Sequence, residues 1–564
     1  VLTEQRAVKI PCRNPPTPSQ YSSSFKELKA YLSLILMEIL SRRRLIALFW
    51  LLGLALLFAL YTSGIKHNPP GFYLDESAPA YNAYLVSRTG AGESGPHFPI
   101  YFQYYTEGFR QNGDPVQIYM LAVLFRFFHP TIFLARMFSA FWVFTACLLL
   151  GLLAKRISGR RTIGVIVAGT ALLTPWFFEG RGLLIEPQFI PMALTPFLLA
   201  VYHVHKKERW SWLDVSMLAG GLALITYSYT IGRILAPLFG LGLLLFVNSW
   251  RRLFDVIKTG LLFSLTLVPI LVFNSRNPGL LTKRLHEASY LMAGGSWSDI
   301  AGQFIKRYME DQSLTILLLS GDYHGRHHVG GSGGAFFIAT YILAVIGVFV
   351  VLACLRRDPW WRYILYGLAV SVVPGAVGAE PFHQLHLFAY PVFLTVLTIP
   401  ALEWFLTKRT PAPVEVAPSG EVAKPAWERF RLCVEGTLPP RSVRLAVLTL
   451  LLSVTLLEAY WFQIAFRRDG PKRLFEFDVQ YKEAYDTATK QPVRPIYLED
   501  GKWGPAYIHA LWYATVENRP RSEFVHLNQG MKAPPGVVVI SSEEQCQNCE
   551  SILRTGVYHV YKTH

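Results

Sequence analysis

Apolar runs of about 17–25 residues recur from Arg44 to Phe462, each long enough to cross a hydrocarbon core of roughly 30 Å as a helix. Spans are predicted near 45–63, 132–154, 162–178, 187–204, 213–230, 233–249, 256–275, 336–355, 361–378, 386–406 and 444–463, about eleven in all. The stretch 115–129, PVQIYMLAVLFRFFH, is apolar as well. It is short, carries Arg126 and would invert every later loop if it crossed, so it reads as an interfacial helix. Past the last span the pattern becomes mixed and polar, with strand-like runs at 494–498 and 536–540 that predict a small α/β domain. The fold class expected is an all-α polytopic membrane bundle with a small C-terminal extracytoplasmic α/β domain.

Composition agrees with a bilayer as solvent: 52% of the 564 residues are hydrophobic and only 16% charged, which excludes an ordinary soluble enzyme. The formal charge of +16 would suit nucleic acid if it covered one face, but Lys and Arg cluster at the ends of the apolar runs. They read as topology signals, and no nucleic-acid partner is expected. Arg42–Arg44, Lys155–Arg161, Lys206–Arg209, Arg251–Arg252, Arg356–Arg357 and Lys408–Arg409 all fall on one side if the spans alternate, and that side is then cytoplasmic. This divides the chain into a cytoplasmic segment 1–43, a transmembrane domain 44–463 and an extracytoplasmic domain 464–564. Loops 64–131 and 276–335 face outward, and a linker at 407–443, rich in Pro, Ala, Val and Glu, faces the cytoplasm. The basic, Pro-containing residues before Leu45 lack a signal-peptide cleavage pattern, so the first span is expected to stay attached. Of six cysteines, Cys546 and Cys549 alone are spaced for chemistry; a local disulfide is favoured, because no second CxxC, His pair or thioredoxin-like pattern accompanies them.

The chemistry is expected in the outward loops. Gly71-Phe-Tyr-Leu-Asp75-Glu76 opens a helix-like stretch with two adjacent acids. They suit a helix N-terminus, whose free N–H groups attract carboxylates, and equally a general base near an acceptor hydroxyl. An aromatic loop from Phe98 to Tyr105 and Gly113-Asp114-Pro115 follow, and Arg136 sits early in the second span. Tyr227-Ser-Tyr229 precedes Arg233, Asn277-Pro278 precedes Arg284, and Gly321-Asp322-Tyr-His-Gly-Arg326-His327 precedes the eighth span. Outward arginines are disfavoured by topology, so Arg181, Arg233, Arg284 and Arg326 as a set suggest an anionic ligand, although any one of them could snorkel to lipid head groups. Tyr227 and Tyr229 fit either an aromatic belt or a sugar pocket. His324, His327 and His328 with Asp322 are donor types compatible with a divalent cation, but their alternation with glycine reads as well as loop structure, so no metal ligand is assigned.

The order of DE pair, aromatic loop, G-[DE]-P, short amphipathic helix and Arg-led span, followed by Y-x-Y-x-x-x-R, N-P-x(5)-R and GD-x-x-x-RH, resembles glycosyltransferase family 39, including protein O-mannosyltransferases and lipid A aminoarabinose transferases. The resemblance runs over residues 71–330. It implies a GT-C fold and an inverting transfer of sugar from a polyprenyl-phosphate carrier to a glycan, lipid or protein acceptor, at the periplasmic or extracellular face of a bacterial inner membrane. It also implies Asp75 as base, Glu76 and Glu186 as positioning acids, the four arginines at the donor phosphate, and Tyr227, Tyr229, Asp322 and His327 at the substrate pocket. Two departures stand out. Glu186 replaces an aspartate that usually follows the arginine matched by Arg181, and His383-Gln-Leu-His386 stands near the tenth span where relatives carry an arginine, which bears on phosphate contact and donor choice. The alternative reading is a non-catalytic GT-C-like subunit or scaffold of a membrane protein complex.

Overall fold

A computed structural model of the protein describes residues 44–105, 111–283, 286, 289–292, 295–407, 439–501, 504–528, 531–542, 546 and 549–564. The Arg44–Tyr61 helix belongs to a unit of its own, and everything from Gly64 onward forms a second. All eleven expected spans fall on helices. Among the described residues, six are long and apolar enough to cross a membrane: Arg44–Tyr61, Ile132–Ser158, Glu186–Val204, Trp250–Arg276, Ile338–Leu355 and Arg441–Lys472. The others are shorter or broken, and proline explains two of the breaks. The expected span 162–178 divides into Arg161–Leu173 and Pro175–Gly180; Pro175 has no N–H to continue the ladder, and the next amide, Trp176 N, donates to Ala335 O at 3.0 Å. Likewise 361–378 appears as Pro359–Val370 and a short turn, Val373–Ala376, that holds Pro374.

Helix ends follow local sequence. Thr131 Oγ1 accepts from Leu134 N at 3.0 Å to start the Ile132–Ser158 helix, and Gly159 ends it with φ 69°. Close packing then sets the bundle. A Cβ at Gly347 would lie 1.7 Å from Leu397 O, so any side chain there would push the Ile338–Val350 helix off Tyr390–Leu406. Leu261, Leu265 and Leu271 of the Trp250–Arg276 helix remain exposed, an apolar surface suited to lipid.

The loop before the Ile132–Ser158 helix carries the Leu74–Thr89 helix, a two-stranded antiparallel ribbon (β1, Phe102–Tyr104; β2, Gln111–Gly113) and the expected short helix, Pro115–Phe127. The tail is an α/β domain. Helices Val479–Lys490 and Tyr507–Val516 pack on a five-stranded sheet of β3 (Ile496–Glu499), β4 (Phe524–Leu527), β5 (Val538–Ser541), β6 (Cys549–Thr555) and β7 (Tyr558–Thr563), in the order β4-β3-β5-β7-β6. β3 is parallel to β4 and β5, while β7 is antiparallel to β5 and β6. Cys546 and Cys549 are disulfide-bonded, as their spacing suggests.

The tail shares a hydrophobic core with the first loop. Trp512 stacks on Phe72 at 5.4 Å and on Phe125 at 6.0 Å, and Ser77 Oγ lies 2.9 Å from His509 Nδ1. A Cβ at Gly71 would stand 1.9 Å from Phe477 O, so the chain entering the Leu74–Thr89 helix touches the tail backbone to backbone. The helix that carries the acidic pair is thus held from the side by the C-terminal domain.

Candidate active site

A cavity of about 300 Å³ opens where the first loop, several helix ends and the 280–290 and 374–386 segments meet. Asp75, Glu76, Glu186, Tyr229, Arg233, Arg326 and His327 line it, together with Tyr73, Tyr104, Lys283, His383 and His386.

The two adjacent acids have different surroundings. Glu76 is buried; it pairs with Arg136 at 2.9 Å, and its oxygens also accept from Tyr73 N (3.0 Å) and Leu184 N (3.0 Å). Arg136 in turn donates to Pro69 O and Gly71 O. This carboxylate is engaged in holding the helix entrance to the second span, so the capping role is filled by Glu76. Asp75, on the cavity side, accepts from the Tyr105 hydroxyl at 3.3 Å. Burial, and then Asp75 itself, pushes the Tyr105 phenol well above its ordinary pKa, which keeps it a donor.

Gly113-Asp114-Pro115 does not line the cavity itself, but Asp114 holds residues that do. Asp114 precedes the Pro115–Phe127 helix, and its oxygens accept from Arg233 Nη2 (2.7 Å) and Thr230 Oγ1 (3.2 Å) while its own N–H donates to Glu186 Oε1 (2.7 Å). Arg233 also lies over the Tyr101 ring at 4.7 Å. Asn112 Nδ2 donates to Leu280 O at 3.1 Å, which ties the strand β2 to the segment that brings Lys283 to the cavity. Arg326 rests on the Tyr73 ring at 4.1 Å, with Glu476 of the tail 3.8 Å from its Nε. Arg233, Lys283 and Arg326 therefore face the same space as Asp75.

Other expected residues stand elsewhere. Arg181 is buried, donates to Phe178 O at 2.8 Å and lies over the Phe178 ring at 3.5 Å; it is not among the cavity-lining residues. Tyr227 donates to Thr266 O at 2.7 Å and does not line the cavity either. Arg284 lies outside the described residues.

A histidine cluster closes one side. Asp322 accepts from His324 Nδ1 (3.1 Å) and His327 Nδ1 (2.9 Å), and from Gln384 N (2.8 Å). Against the upward push of burial, those bonds hold Asp322 well below the usual carboxylate range. His383 is driven down to about 2 by burial and by its neighbours His386 and His327, so it is a neutral imidazole. His324, His327 and His383 offer ligand atoms that lie within 4.8 Å of one another. The sequence had grouped His328 with them, but its Nδ1 pairs with Glu179 at 2.7 Å and its Nε2 with Gly333 O at 2.8 Å.

Over residues 112–273 the sequence matches the family described as dolichyl-phosphate-mannose-protein mannosyltransferase. The structure is similar to crystal structures of ArnT from Cupriavidus metallidurans. Against the apo state the TM-score is 0.55 at 12% identity, over 92% of this chain and 98% of that one. Against the form bound to undecaprenyl phosphate it is 0.55 at 11%, over 90% and 98%. No curated protein matches by sequence. The chain has a GT-C fold.

The likeness read from the motifs is thereby borne out. Of the residues lining this GT-C cavity, the motifs located Asp75, Glu76, Glu186, Tyr229, Arg233, Arg326 and His327 and flagged the His383–His386 stretch as a departure, but passed over Lys283 and Tyr73. Lys283 had a signal, since it adjoins Arg284 in the N-P-x(5)-R segment. Tyr73 had none beyond its place before the acidic pair, because only the fold brings Arg326 onto its ring.

Proposed function

We propose that the chain is an inverting glycosyltransferase of the membrane, moving a sugar from a polyprenyl-phosphate carrier to a glycan, lipid or protein acceptor on the extracytoplasmic face. The observation that carries this reading is that Asp75 lines one cavity together with Arg233, Lys283 and Arg326. A carboxylate is there to take the acceptor's proton, and cations to take the leaving phosphate. Two comparisons support the donor class: the matching family is described by dolichyl-phosphate-mannose, and one of the similar ArnT structures is bound to undecaprenyl phosphate.

In this reading the acceptor hydroxyl gives its proton to Asp75 as its oxygen attacks the anomeric carbon. The bond from that carbon to the phosphate oxygen breaks, and its electron pair leaves with the polyprenyl phosphate, so attack opposite the leaving group inverts the centre. Phosphate charge rises from about −1 to −2, and the three cations stabilise the transition state more than the ground state. Tyr105 fixes the Asp75 rotamer. Arg284, adjoining Lys283, remains a candidate for the same phosphate, and Tyr229 with Glu186 for the sugar. The charge pattern supports a cavity on the non-cytoplasmic side of the membrane, and the motif resemblance suggests a bacterial inner membrane.

Purified protein supplied with a panel of polyprenyl-phosphate sugars, beginning with mannose, and with glycan, lipid and peptide acceptors tests the proposal by thin-layer detection of released polyprenyl phosphate. Release by the unmodified protein, reduced about 10²–10⁴-fold in Asp75→Asn, is expected. No release across the panel would favour the non-catalytic subunit reading.

A further inference from the structure

We propose that His324, His327 and His383 form a site for a divalent transition metal of the zinc class in the cavity wall, with Asp322 orienting two of the three imidazoles. Two loops build it. Asp322 Oδ1 takes His324 Nδ1 at 3.1 Å and Oδ2 takes His327 Nδ1 at 2.9 Å, so one carboxylate turns both rings. Each ring then has Nε2 left for another partner, the carboxylate–histidine–metal arrangement that fixes tautomer and raises ligand basicity. Asp322 also accepts from Gln384 N at 2.8 Å, which fastens the second loop to the first and sets His383 beside both rings, at centroid distances of 4.8 Å from His327 and 5.3 Å from His324.

A second, independent feature points to a ligand. His383 Nδ1 is buried and is one of the side-chain polar atoms that have no hydrogen-bond partner among the described residues, a state that an ion or a water would relieve. A cation between the three rings would supply that partner. Zinc held tetrahedrally at about 2.0–2.1 Å places ligand atoms roughly 3.3 Å apart. One ring nitrogen of each histidine lies within 4.8 Å of those of the other two, so a cation between the rings needs them to draw together by up to about 1.5 Å. An all-imidazole set selects zinc or a neighbouring transition ion over magnesium or calcium, which take oxygen ligands. Glu380, with an oxygen 3.6 Å from His324 Nε2, is the nearest carboxylate for a fourth position. Since His327 and His383 line the cavity, the bound ion would meet water or phosphate held there; that consequence rests on the donor reading above, whereas the site does not.

The experiment therefore uses no sugar donor. Full-length protein purified without a polyhistidine tag is stripped with chelator, loaded with zinc, desalted and analysed for metal, with folding followed by size exclusion. About one equivalent per chain is expected to remain. His383→Ala and the more exposed His324→Ala should each weaken affinity at least 10²-fold, and Asp322→Asn by about 10–100-fold. His203→Ala, on the Phe189–Val204 helix, should change nothing. Less than about a tenth of an equivalent in the unmodified protein, or equal retention in His383→Ala, would overturn the proposal. Cobalt(II) gives a reading that needs no variant: intense visible bands of a tetrahedral nitrogen site support it, and the weak spectrum of the aqueous ion contradicts it.

Discussion

Adjacent residues on a helix point about 100° apart, and that angle divides the work of Asp75 and Glu76. Both line the cavity, but Glu76 is buried and bound to Arg136 and Leu184 N, whereas Asp75 accepts from the Tyr105 hydroxyl. Glu76→Ala should therefore lower stability, by about 3–5 kcal/mol, because it leaves the Arg136 guanidinium buried without its charge partner. Thermal unfolding in detergent checks this; unchanged stability with lost turnover would instead make Glu76 part of the chemistry. Asp311 gives a pH-dependent counterpart. Burial pushes it up to about 7, against the pull of the Phe382 N–H and Arg307, with Glu310 adding to the rise. The native chain thus keeps a proton that the unfolded chain releases near pH ~4. Stability should fall as pH rises from about 4 to about 7, and Asp311→Asn should flatten that slope. An equal slope in the variant would assign it to other groups.

At the level of elements, the spans were legible because each is a local apolar run, and breaks came where proline removed an N–H, as at Pro175. Sequence gave the tail as α/β but not its purpose. Its link to the first loop joins Ser77 to His509 and Phe72 to Trp512, pairings that leave no periodic trace in either segment. The pairing of His383 with the His327 loop escaped for the same reason: only the Gln384–Asp322 bond reveals that the two belong together. Motif order found Asp75 because the acidic pair is contiguous, yet it could not say which acid is engaged by the Arg136 guanidinium. The Arg441–Asp469 helix carries the topology. Reporter fusions at Pro413 and after His564 should report opposite compartments, cytoplasmic and extracytoplasmic; a shared compartment would mean that this helix does not cross.

For the molecule as a whole, a GT-C bundle supplies helix ends from distant parts of the chain, and the tail steadies the helix that meets them. The result is one cavity lined by the carboxylate of Asp75 and by the cations Arg233, Lys283 and Arg326. Binding and chemistry should therefore separate by residue. The most direct test measures donor affinity and single-turnover rate on the same preparations, using whichever polyprenyl-phosphate sugar the panel shows to be turned over. Asp75→Asn should retain donor affinity while its rate falls about 10²–10⁴-fold, whereas Arg326→Ala should lose affinity and rate together. Full turnover in Asp75→Asn, or affinity and rate both unchanged in Arg326→Ala, would contradict the account.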